Sequence, residues 1–405
     1  MALIEGPVNE CSFPISEMTT VPTNVGLDRL PKESRVLIVL FGRIGDVIFT
    51  LPSILALKKV RPDLLIDWLV EDRCADLLNG LTALRKVILF RRADYSERVR
   101  KRQYGLAMKG VFDLVREVRR ERYGAVLDFQ GLLKSGVATF LAKGSIKLGS
   151  PSTYGTMKEG AGLFSRQVPL DRNDRHLVER HLLVVQELLG IPLSPEPIRL
   201  GFTEKEQEHV RTFCGGDPFV ILHPFASWPT RNWISTSWAD VARGLSKRGF
   251  KVAIAGVGGP AQVHVKNEMD AEVPGGLIDL LGKLSLRELA LAMARAEAFL
   301  AVDSGPMHLA SAMGTRVIAL FGPTDPSRLG PFGPSLSDEG GFVMGRTGKV
   351  VTAGLPCQPC MLRRCPIGVP CQERLTPEMV LSSFDELMAN QKKSGQAFDL
   401  LRIER

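Results

Sequence analysis

Long apolar runs are missing from this chain of 405 residues, and no stretch of about 20 such residues predicts a membrane-spanning helix. The first residues also lack the basic region, apolar core and small-residue cleavage site of an export signal, so we expect a cytoplasmic protein. No D-x-D pair indicates a catalytic metal, and no motif is typical of nucleic-acid binding. The composition, with 44% hydrophobic and 24% charged residues, is typical of a folded globular protein.

Positive charge exceeds negative charge, and the formal net charge is +8. This excess favours an anionic partner. The alternative is that the basic residues only keep the protein in solution. Within residues 91–122, eleven basic residues are interleaved with five acidic ones. Much of this tract is typical of a solvated helix face with ion pairs four residues apart. Its least compensated part, residues 98–102, suits anionic lipid headgroups or phosphorylated sugars.

Short Val/Ile/Leu-rich runs alternate with helical stretches in two similar halves, which is typical of βαβ units and parallel sheets. We therefore predict an α/β protein of two Rossmann-like, doubly wound domains that face each other across a ligand cleft. The predicted strands are residues 36–41, 66–70, 87–90 and 125–129, then 219–223, 251–255, 277–280, 298–302 and 317–321. The predicted divisions are an irregular extension at 1–30, a first domain at 31–195, a second domain at 196–376, and a C-terminal helix and tail at 377–405.

The segment "FGRIGD", residues 41–46, places two glycines, Arg43 and Asp46 between the first predicted strand and a helix. Asp46 has an ordinary explanation as a first-turn acid that the helix dipole favours. It also suits a general base at the mouth of the cleft, where the glycines let the backbone approach a ligand and Arg43 adds a cation. The segment alone leaves both interpretations open.

A second segment, "VDSGPMHLASAMG" at residues 302–314, again joins a strand to a helix. Asp303, Ser304 and Gly305 form the predicted turn, and the proline that follows suits the first position of a helix. Free N–H groups at a helix start bind anions, so a diphosphate fits here, with His308 beside it. The alternative is a plain strand–turn–helix with a surface histidine.

A third segment, residues 222–241, follows the strand at 219–223. Ser227, Thr230 and Arg231 are placed to reach a phosphate. The three tryptophans of this segment are more often core residues than stacking platforms.

The stretch "AGVGGPA", residues 255–261, fits the dinucleotide pattern G-x-G-x-x-A, and Asp279 follows about twenty residues later. This pattern favours one alternative function, that of an NAD-dependent oxidoreductase. Taken alone it also marks only a tight turn, and no matching catalytic pair accompanies it.

Four of the seven cysteines lie within fifteen residues, in the spacing C-x2-C-x4-C-x5-C: Cys357, Cys360, Cys365 and Cys371. In a reducing cytosol such a cluster favours a metal over disulfides. The spacing is not that of paired zinc ligands. Two interpretations therefore stay open: a structural zinc or iron site, or reduced thiols that only pack in the fold. Beyond the cluster, Thr376 and the proline after it predict the start of a helix at 377–390.

Four stretches of the sequence share one family resemblance: "GRIGDVIFTLPSILALKKVRPDLLIDWLVE", "DFQGLLKSG", "VDSGPMHLASAMGTRVIALFGPTDP" and "CQPCMLRRCPIGVPCQERLTPEMV". From about residue 35 to residue 380, the chain resembles the bacterial heptosyltransferases of lipopolysaccharide assembly, glycosyltransferase family 9. The resemblance implies a GT-B fold, with the acceptor on the first domain and the nucleotide sugar on the second. It also implies inverting transfer from ADP-L-glycero-D-manno-heptose to the lipopolysaccharide inner core (Kdo-lipid A or a core heptose), with no cofactor required for catalysis.

The resemblance also implies roles for individual residues, with Asp46 as the general base. On the donor side it implies Ser227, Arg231, Leu284, Asp303, Ser304, Gly305 and His308. On the acceptor side it implies Arg43, Arg91, Arg92, Gln130, Lys134 and His176. Many relatives carry a Lys or Arg where this chain has Leu40. The four-cysteine segment resembles other branches of the family, including second-heptose enzymes, more than the first-heptose type.

The expected partners are therefore the ADP-heptose donor and an anionic, lipid-linked saccharide acceptor, with a peripheral position on the inner face of the cytoplasmic membrane. One alternative stays within the glycosyltransferases, with another nucleotide sugar or a protein acceptor. The others are the oxidoreductase and a non-catalytic scaffold, because a fold alone does not prove activity.

Overall fold

The computed structural model describes residues 30–150, 161–170, 175–273, 275–336 and 342–394. Residues 1–29 of the predicted extension and the tail after residue 394 lie outside the described residues. Within the described ranges, no helix combines the length and the apolar character needed to cross a bilayer.

Strands and helices alternate through both halves of the described chain. The strands are β1 Arg35–Val39, β2 Leu65–Glu71, β3 Lys86–Phe90, β4 Arg122–Asp128, β5 Lys143–Gly149, β6 Arg166–Gln167, β7 Phe219–His223, β8 Lys251–Gly256, β9 Ile278–Leu281, β10 Ala298–Val302, β11 Val317–Phe321, β12 Phe332–Leu336, β13 Phe342–Arg346 and β14 Lys349–Thr352. The helices are α1 Ile44–Val60, α2 Asp72–Ala75, α3 Arg92–Arg100, α4 Tyr104–Arg120, α5 Leu133–Leu141, α6 Leu177–Leu189, α7 Glu204–Cys214, α8 Ser235–Lys247, α9 Pro260–Asp270, α10 Leu286–Arg295, α11 Gly305–Ala312, α12 Pro326–Leu329, α13 Pro370–Glu373 and α14 Pro377–Ser394.

Two six-stranded parallel sheets organise the two halves. The first has the order β3-β2-β1-β4-β5-β6 and the second the order β14-β11-β10-β7-β8-β9. The strand order reverses between β1 and β4 in the first sheet, and between β7 and β10 in the second. In doubly wound sheets, ligands bind at such a switch point, outside the carboxyl ends of the strands. The loops after these four strands are those that carry Asp46, Gln130, Arg231 and Asp303.

All nine predicted strands are confirmed, as β1–β4 and β7–β11, with differences only at their ends. Most of them are buried on both faces, and β7, β10 and β11 are buried throughout, which explains their continuous apolar runs. The sequence analysis missed β5, because its sequence KGSIKLG has no such run and much of it is partly exposed. It also missed the short strands β6, β12, β13 and β14. The predicted final helix is confirmed as α14, and Thr376 Oγ1 accepts a hydrogen bond from Met379 N at 3.4 Å.

Arg287, at the start of α10 in the second half, ties the two halves together. Its side chain is 10% exposed. Its backbone N donates to Asp76 Oδ2 at 3.1 Å and its Nη1 donates to Asn79 O at 2.8 Å, both in the first half. Its Nε donates to Glu206 Oε1 at 2.7 Å on α7. A buried guanidinium with this many acceptors fixes where the two sheets meet.

Candidate active site

Asp46 lies in the first turn of α1, directly beyond the carboxyl end of β1. Gly42 has a φ of 71°, a left-handed conformation that glycine adopts without strain, and this turns the chain out of the strand. Asp46 Oδ2 accepts a hydrogen bond from Arg43 N at 3.3 Å. The half-buried carboxylate therefore stabilises the helix start and also lies at the edge of the sheet where a ligand is expected.

Asp303 lies beyond the carboxyl end of β10, at the turn into α11, and is 1% exposed. Its Oδ2 accepts a hydrogen bond from Thr324 Oγ1 at 2.6 Å and forms an ion pair with Arg231 Nη1 at 3.2 Å. Burial raises the pKa of Asp303, and the Arg231 cation opposes that rise. The pair holds Arg231 at the start of α11, where the helix presents its free N–H groups.

His308 lies in the first turn of α11 and is buried. Its Nε2 is 3.7 Å from Asp303 Oδ1, and its ring centroid is 4.3 Å from that of Phe49. Burial lowers the pKa of His308 well below its usual value, and the nearby His176 and Arg231 act in the same direction. Burial therefore favours the neutral imidazole of His308 over the imidazolium.

The N-termini of α1 and α11 meet directly, through two glycines. A methyl carbon added to Gly45 would lie 2.9 Å from His308 Cδ2. One added to Gly305 would lie 3.1 Å from Ile44 Cβ. Only residues without a side chain permit this approach. The contact places Asp46 beside the helix start that carries Asp303 and His308, so the structure brings the two sequence motifs together.

The loop after β7 supplies further groups to the same region. The Arg231 guanidinium carbon lies 4.0 Å from the centre of the Trp228 ring, and both residues are buried. Ser227 precedes them in an exposed position. Leu284 is half-buried in the loop between β9 and α10, beyond the edge of the same sheet. The other two tryptophans of this segment, Trp233 and Trp238, pack on each other in the core as expected.

Three buried polar atoms of this region have no hydrogen-bond partner in the described part of the chain. They are Arg231 Nε, Trp228 Nε1 and His308 Nδ1. Buried polar atoms are nearly always paired, and each unpaired one costs about 1–3 kcal/mol. These three atoms at one helix start are available to bond a ligand.

On the first sheet, the sequence analysis missed Glu71, at the end of β2, which is 1% exposed. Its carboxylate forms ion pairs with Arg73 at 2.7 Å, Lys134 at 3.2 Å and Arg92 at 3.5 Å. One buried anion thus gathers three partly exposed cations at the carboxyl ends of β2, β3 and β4. Arg91 is exposed beside this group. No signal in the sequence distinguishes Glu71 from an ordinary strand-end glutamate.

The turn after β4 is shaped by Asp128, which the sequence analysis also missed. Its Oδ1 accepts hydrogen bonds from Gln130 N at 2.9 Å and Gly131 N at 3.1 Å, and its Oδ2 accepts one from Ser135 Oγ at 2.9 Å. Burial raises the pKa of Asp128 to about 6, although these hydrogen bonds oppose it. Gln130 Oε1 in turn accepts a bond from Phe41 N at 3.1 Å, which joins this turn to the Asp46 loop.

His176 lies inside the protein and not on an acceptor surface. It has no exposed surface, and its Nε2 is 3.1 Å from Gly330 O in the second half. Its ring stacks on Phe332 with centroids 4.6 Å apart. Burial lowers its pKa to about 3. A side chain in this position helps to join the two halves and has no access to an acceptor in this arrangement.

The four clustered cysteines are free thiols with different exposure: Cys357 is exposed, Cys360 and Cys365 are half-buried, and Cys371 is buried. Burial raises the pKa of the Cys371 thiol, and the other three lie near enough to raise it further. In the described residues, no three side chains of His, Cys, Asp or Glu are arranged to hold a metal ion. The thiol set suits zinc or iron by its chemistry, but the geometry is not that of a formed site.

The glycine-rich turn after β8 is explained by packing. A Cβ on Gly258 would lie 3.3 Å from the carbonyl of Leu281, and Gly258 has a φ of 81°. Asp279 accepts a hydrogen bond from Leu281 N at 3.0 Å and pairs with Lys283 at 3.1 Å. Its carboxylate is engaged within its own loop, so this geometry gives no support to the oxidoreductase alternative.

Two Rossmann-like halves, each with its sheet's switch-point loops at the carboxyl ends of the strands, form the GT-B fold. The chain belongs to glycosyltransferase family 9, the heptosyltransferase family, whose profile matches residues 111–351.

Individual relatives agree with this assignment. Lipopolysaccharide heptosyltransferase 1 of Pseudomonas aeruginosa is 28% identical over 334 residues, which cover 82% of this chain and 87% of the relative. The glycosyltransferase family 9 structure from Veillonella parvula superposes with a TM-score of 0.72 at 18% identity, over 89% of this chain and 98% of that one. The E. coli heptosyltransferase WaaC, solved with ADP-2-deoxy-2-fluoro heptose, has a TM-score of 0.63 at 23% identity, over 87% and 99%.

Proposed function

We propose that this protein transfers L-glycero-D-manno-heptose from ADP-heptose to the lipopolysaccharide inner core, on Kdo-lipid A or a core heptose, with inversion at the anomeric carbon. The observation that carries the proposal is the contact between α1 and α11, which brings Gly45, the residue before Asp46, against His308. The names of the relatives support the same donor and acceptor classes.

Asp46 acts as the general base in this proposal. Inverting transfer needs one carboxylate to accept the proton of the acceptor hydroxyl while that oxygen attacks the anomeric carbon. A second carboxylic acid is needed only where the leaving group is poor, as in glycoside hydrolysis. ADP is a good leaving group once its growing charge is stabilised, so a single base is sufficient.

The donor diphosphate binds at the start of α11 in this proposal. The free N–H groups of the helix and the Arg231 guanidinium stabilise the negative charge that develops on ADP. The unpartnered Nδ1 of His308 accepts a hydrogen bond from a hydroxyl of the donor sugar, with Nε2–H directed towards Asp303. Ser304 and Gly305 shape the turn, while Ser227 and Leu284 contact the phosphate and the adenine. No catalytic metal is required, because these groups already supply the positive potential.

The acceptor lies on the first sheet, where the cations gathered by Glu71 meet the Asp46 loop. Arg92 and Lys134 are held by that carboxylate, and Arg43 and Arg91 are exposed nearby. Phosphate and carboxylate groups of an inner-core saccharide match this excess of cations. Gln130 serves to fix the loop between them.

The donor class is tested by calorimetry with ADP-heptose, ADP, UDP, GDP and NADH, followed by transfer to Kdo-lipid A and to heptosylated core. We expect ADP-heptose and ADP to bind tightly, the other three to bind weakly, and one of the two acceptors to be glycosylated. Tighter binding of UDP or GDP than of ADP would reassign the donor, and tight NADH binding would restore the oxidoreductase.

We also propose that the first half contacts an anionic membrane surface, where a lipid-linked acceptor resides. Met108 and Phe112 on α4 are 69% and 65% exposed, and Phe140 on the neighbouring α5 is 62% exposed. The tract at 91–122, which includes α4, carries eleven cations against five anions. An exposed apolar stripe with a basic border is the composition of a helix that lies in a lipid interface.

Sedimentation with vesicles tests this contact. The wild type should bind vesicles that contain phosphatidylglycerol, and Met108→Ser/Phe112→Ser should lose most of that binding. Val263→Ser removes another exposed apolar side chain, on α9, and should change nothing. Equal partition with and without anionic lipid would contradict the proposal.

A structural zinc or iron at the four clustered cysteines remains a prediction. Four thiolates are soft ligands that select such metals. Elemental analysis of the purified protein should find about one metal per chain, lost in Cys360→Ser and kept in Cys74→Ser, whose thiol is buried elsewhere. A metal-free wild type would leave the cysteines as packing thiols.

A further inference from the structure

The cysteine-rich segment, residues 357–371, packs directly on the loops of the proposed donor site. Thr230 Oγ1 donates to Leu362 O at 2.8 Å, and Met361 N donates to Pro323 O at 2.8 Å. Directly after the segment, Gln372 Nε2 donates to Arg231 O at 3.1 Å. The Thr230 hydroxyl, the Arg231 carbonyl and the Pro323 carbonyl just after β11 are therefore bonded to this segment or to its border.

This packing brings a second arginine to the donor loop. The Arg363 guanidinium carbon lies 4.9 Å from the centre of the Trp228 ring, the same ring that Arg231 contacts at 4.0 Å. Cation–π contact with tryptophan holds a guanidinium in place without using its N–H donors. Arg363 is exposed, and no ion pair is recorded for it among the described residues.

The charges around the helix start leave a role for a second cation. Arg231 is already paired with Asp303 at 3.2 Å, so one positive charge is largely matched before a ligand arrives. A nucleoside diphosphate carries at least two negative charges, and a guanidinium binds phosphate oxygens with two parallel hydrogen bonds. Trp228 Nε1 and Arg231 Nε are buried and unpartnered in the described chain, so both are available to a ligand beside the ring that the two arginines contact.

We propose that Arg363 is a second diphosphate-binding residue, positioned by the cysteine-rich segment. This inference rests on the proposed function, and it assigns to the segment a role in donor recognition. The backbone anchors at Met361 and Leu362 adjoin Arg363, so its position is set before the donor binds.

The test compares ADP with AMP as ligands of the full-length protein by calorimetry. Loss of a charged hydrogen-bond partner of the β-phosphate should weaken ADP binding about 10–100-fold in Arg363→Ala and leave AMP binding much less affected. Arg363→Lys should recover part of the loss, because it keeps the charge but not the two-point contact. Arg364→Ala removes the adjacent exposed arginine and should behave as the wild type.

Three outcomes would overturn the inference: unchanged ADP affinity in Arg363→Ala, an equal loss for ADP and AMP, or an equal effect of Arg364→Ala. A wild type that prefers UDP or GDP would contradict the proposed donor but not the role of Arg363. The diphosphate and monophosphate of the preferred nucleoside, UDP with UMP or GDP with GMP, would then be compared in the same way. A wild type that binds no nucleoside diphosphate would overturn both.

Discussion

Substitution of Gly45 by alanine should separate the two helix starts that form the site. The added methyl carbon would lie 2.9 Å from His308 Cδ2, whereas ordinary contact begins at 3.4 Å. His308 is buried with Phe49 against its ring at a centroid distance of 4.3 Å, so its ring has little freedom to move. The strain must then shift α1 against α11 by at least about 0.5 Å, and Asp46 moves with α1.

The expected result is a fall in kcat/KM of roughly 10²-fold, the scale for a misplacement of a reacting group by about 1 Å. This corresponds to about 2.7 kcal/mol of transition-state stabilisation. ADP affinity should change little, because the groups proposed to bind the diphosphate, Arg231 and the start of α11, lie together on the second half and the strain falls on His308. Overpacking costs about 1–3 kcal/mol of stability, and about 1 kcal/mol returns from the better helix propensity of alanine, so the variant should fold.

Gly105 provides the matched control, because it occupies the same second position in α4 that Gly45 occupies in α1. A methyl group there would meet no atom within 4 Å, so Gly105→Ala should keep full activity. Steady-state kinetics measures kcat/KM of both variants, and thermal denaturation shows whether both fold. Wild-type kcat/KM in Gly45→Ala would refute the conclusion that the α1–α11 contact sets the catalytic geometry.

Three further predictions concern the base, the acceptor side and pH. Asp46→Ala should lower kcat by about 10²–10⁴-fold with little change in ADP affinity, and near-normal turnover would remove Asp46 from the base role. Glu71→Gln keeps the shape of the side chain but no longer holds the three cations in place. Steady-state kinetics should therefore show an acceptor KM raised roughly tenfold and an unchanged donor KM. A raised donor KM with an unchanged acceptor KM would contradict the acceptor assignment. Burial lowers the pKa of His181 to about 4, so the folded state favours the neutral ring. The unfolded state binds the proton more readily, so the contribution of His181 to the free energy of unfolding falls by about 1.4 kcal/mol per pH unit as the pH drops from 6.5 towards 4. His181→Gln should remove that share of the slope in denaturation experiments between pH 7 and 5, and an unchanged slope would show that His181 does not titrate on unfolding.

The separate parts of the site were visible in the sequence. The apolar runs predicted nine strands because buried parallel strands need apolar residues on both faces. The turns that hold Asp46 and Asp303 were predicted because glycine, proline and short polar residues end strands and start helices in recognisable patterns. Strand β5 was missed because a partly exposed strand lacks the continuous apolar run.

The sequence by itself determined the α/β architecture, the family and the loops that carry the chemistry, since these follow from short-range patterns. Only the tertiary structure decided which loops meet. The Gly45–His308 approach, the cations around Glu71, the burial of His176 between the halves and the placement of Arg363 over Trp228 all join residues far apart in the chain. These contacts depend on how the two sheets are oriented and packed, and no local pattern of residue types encodes that orientation.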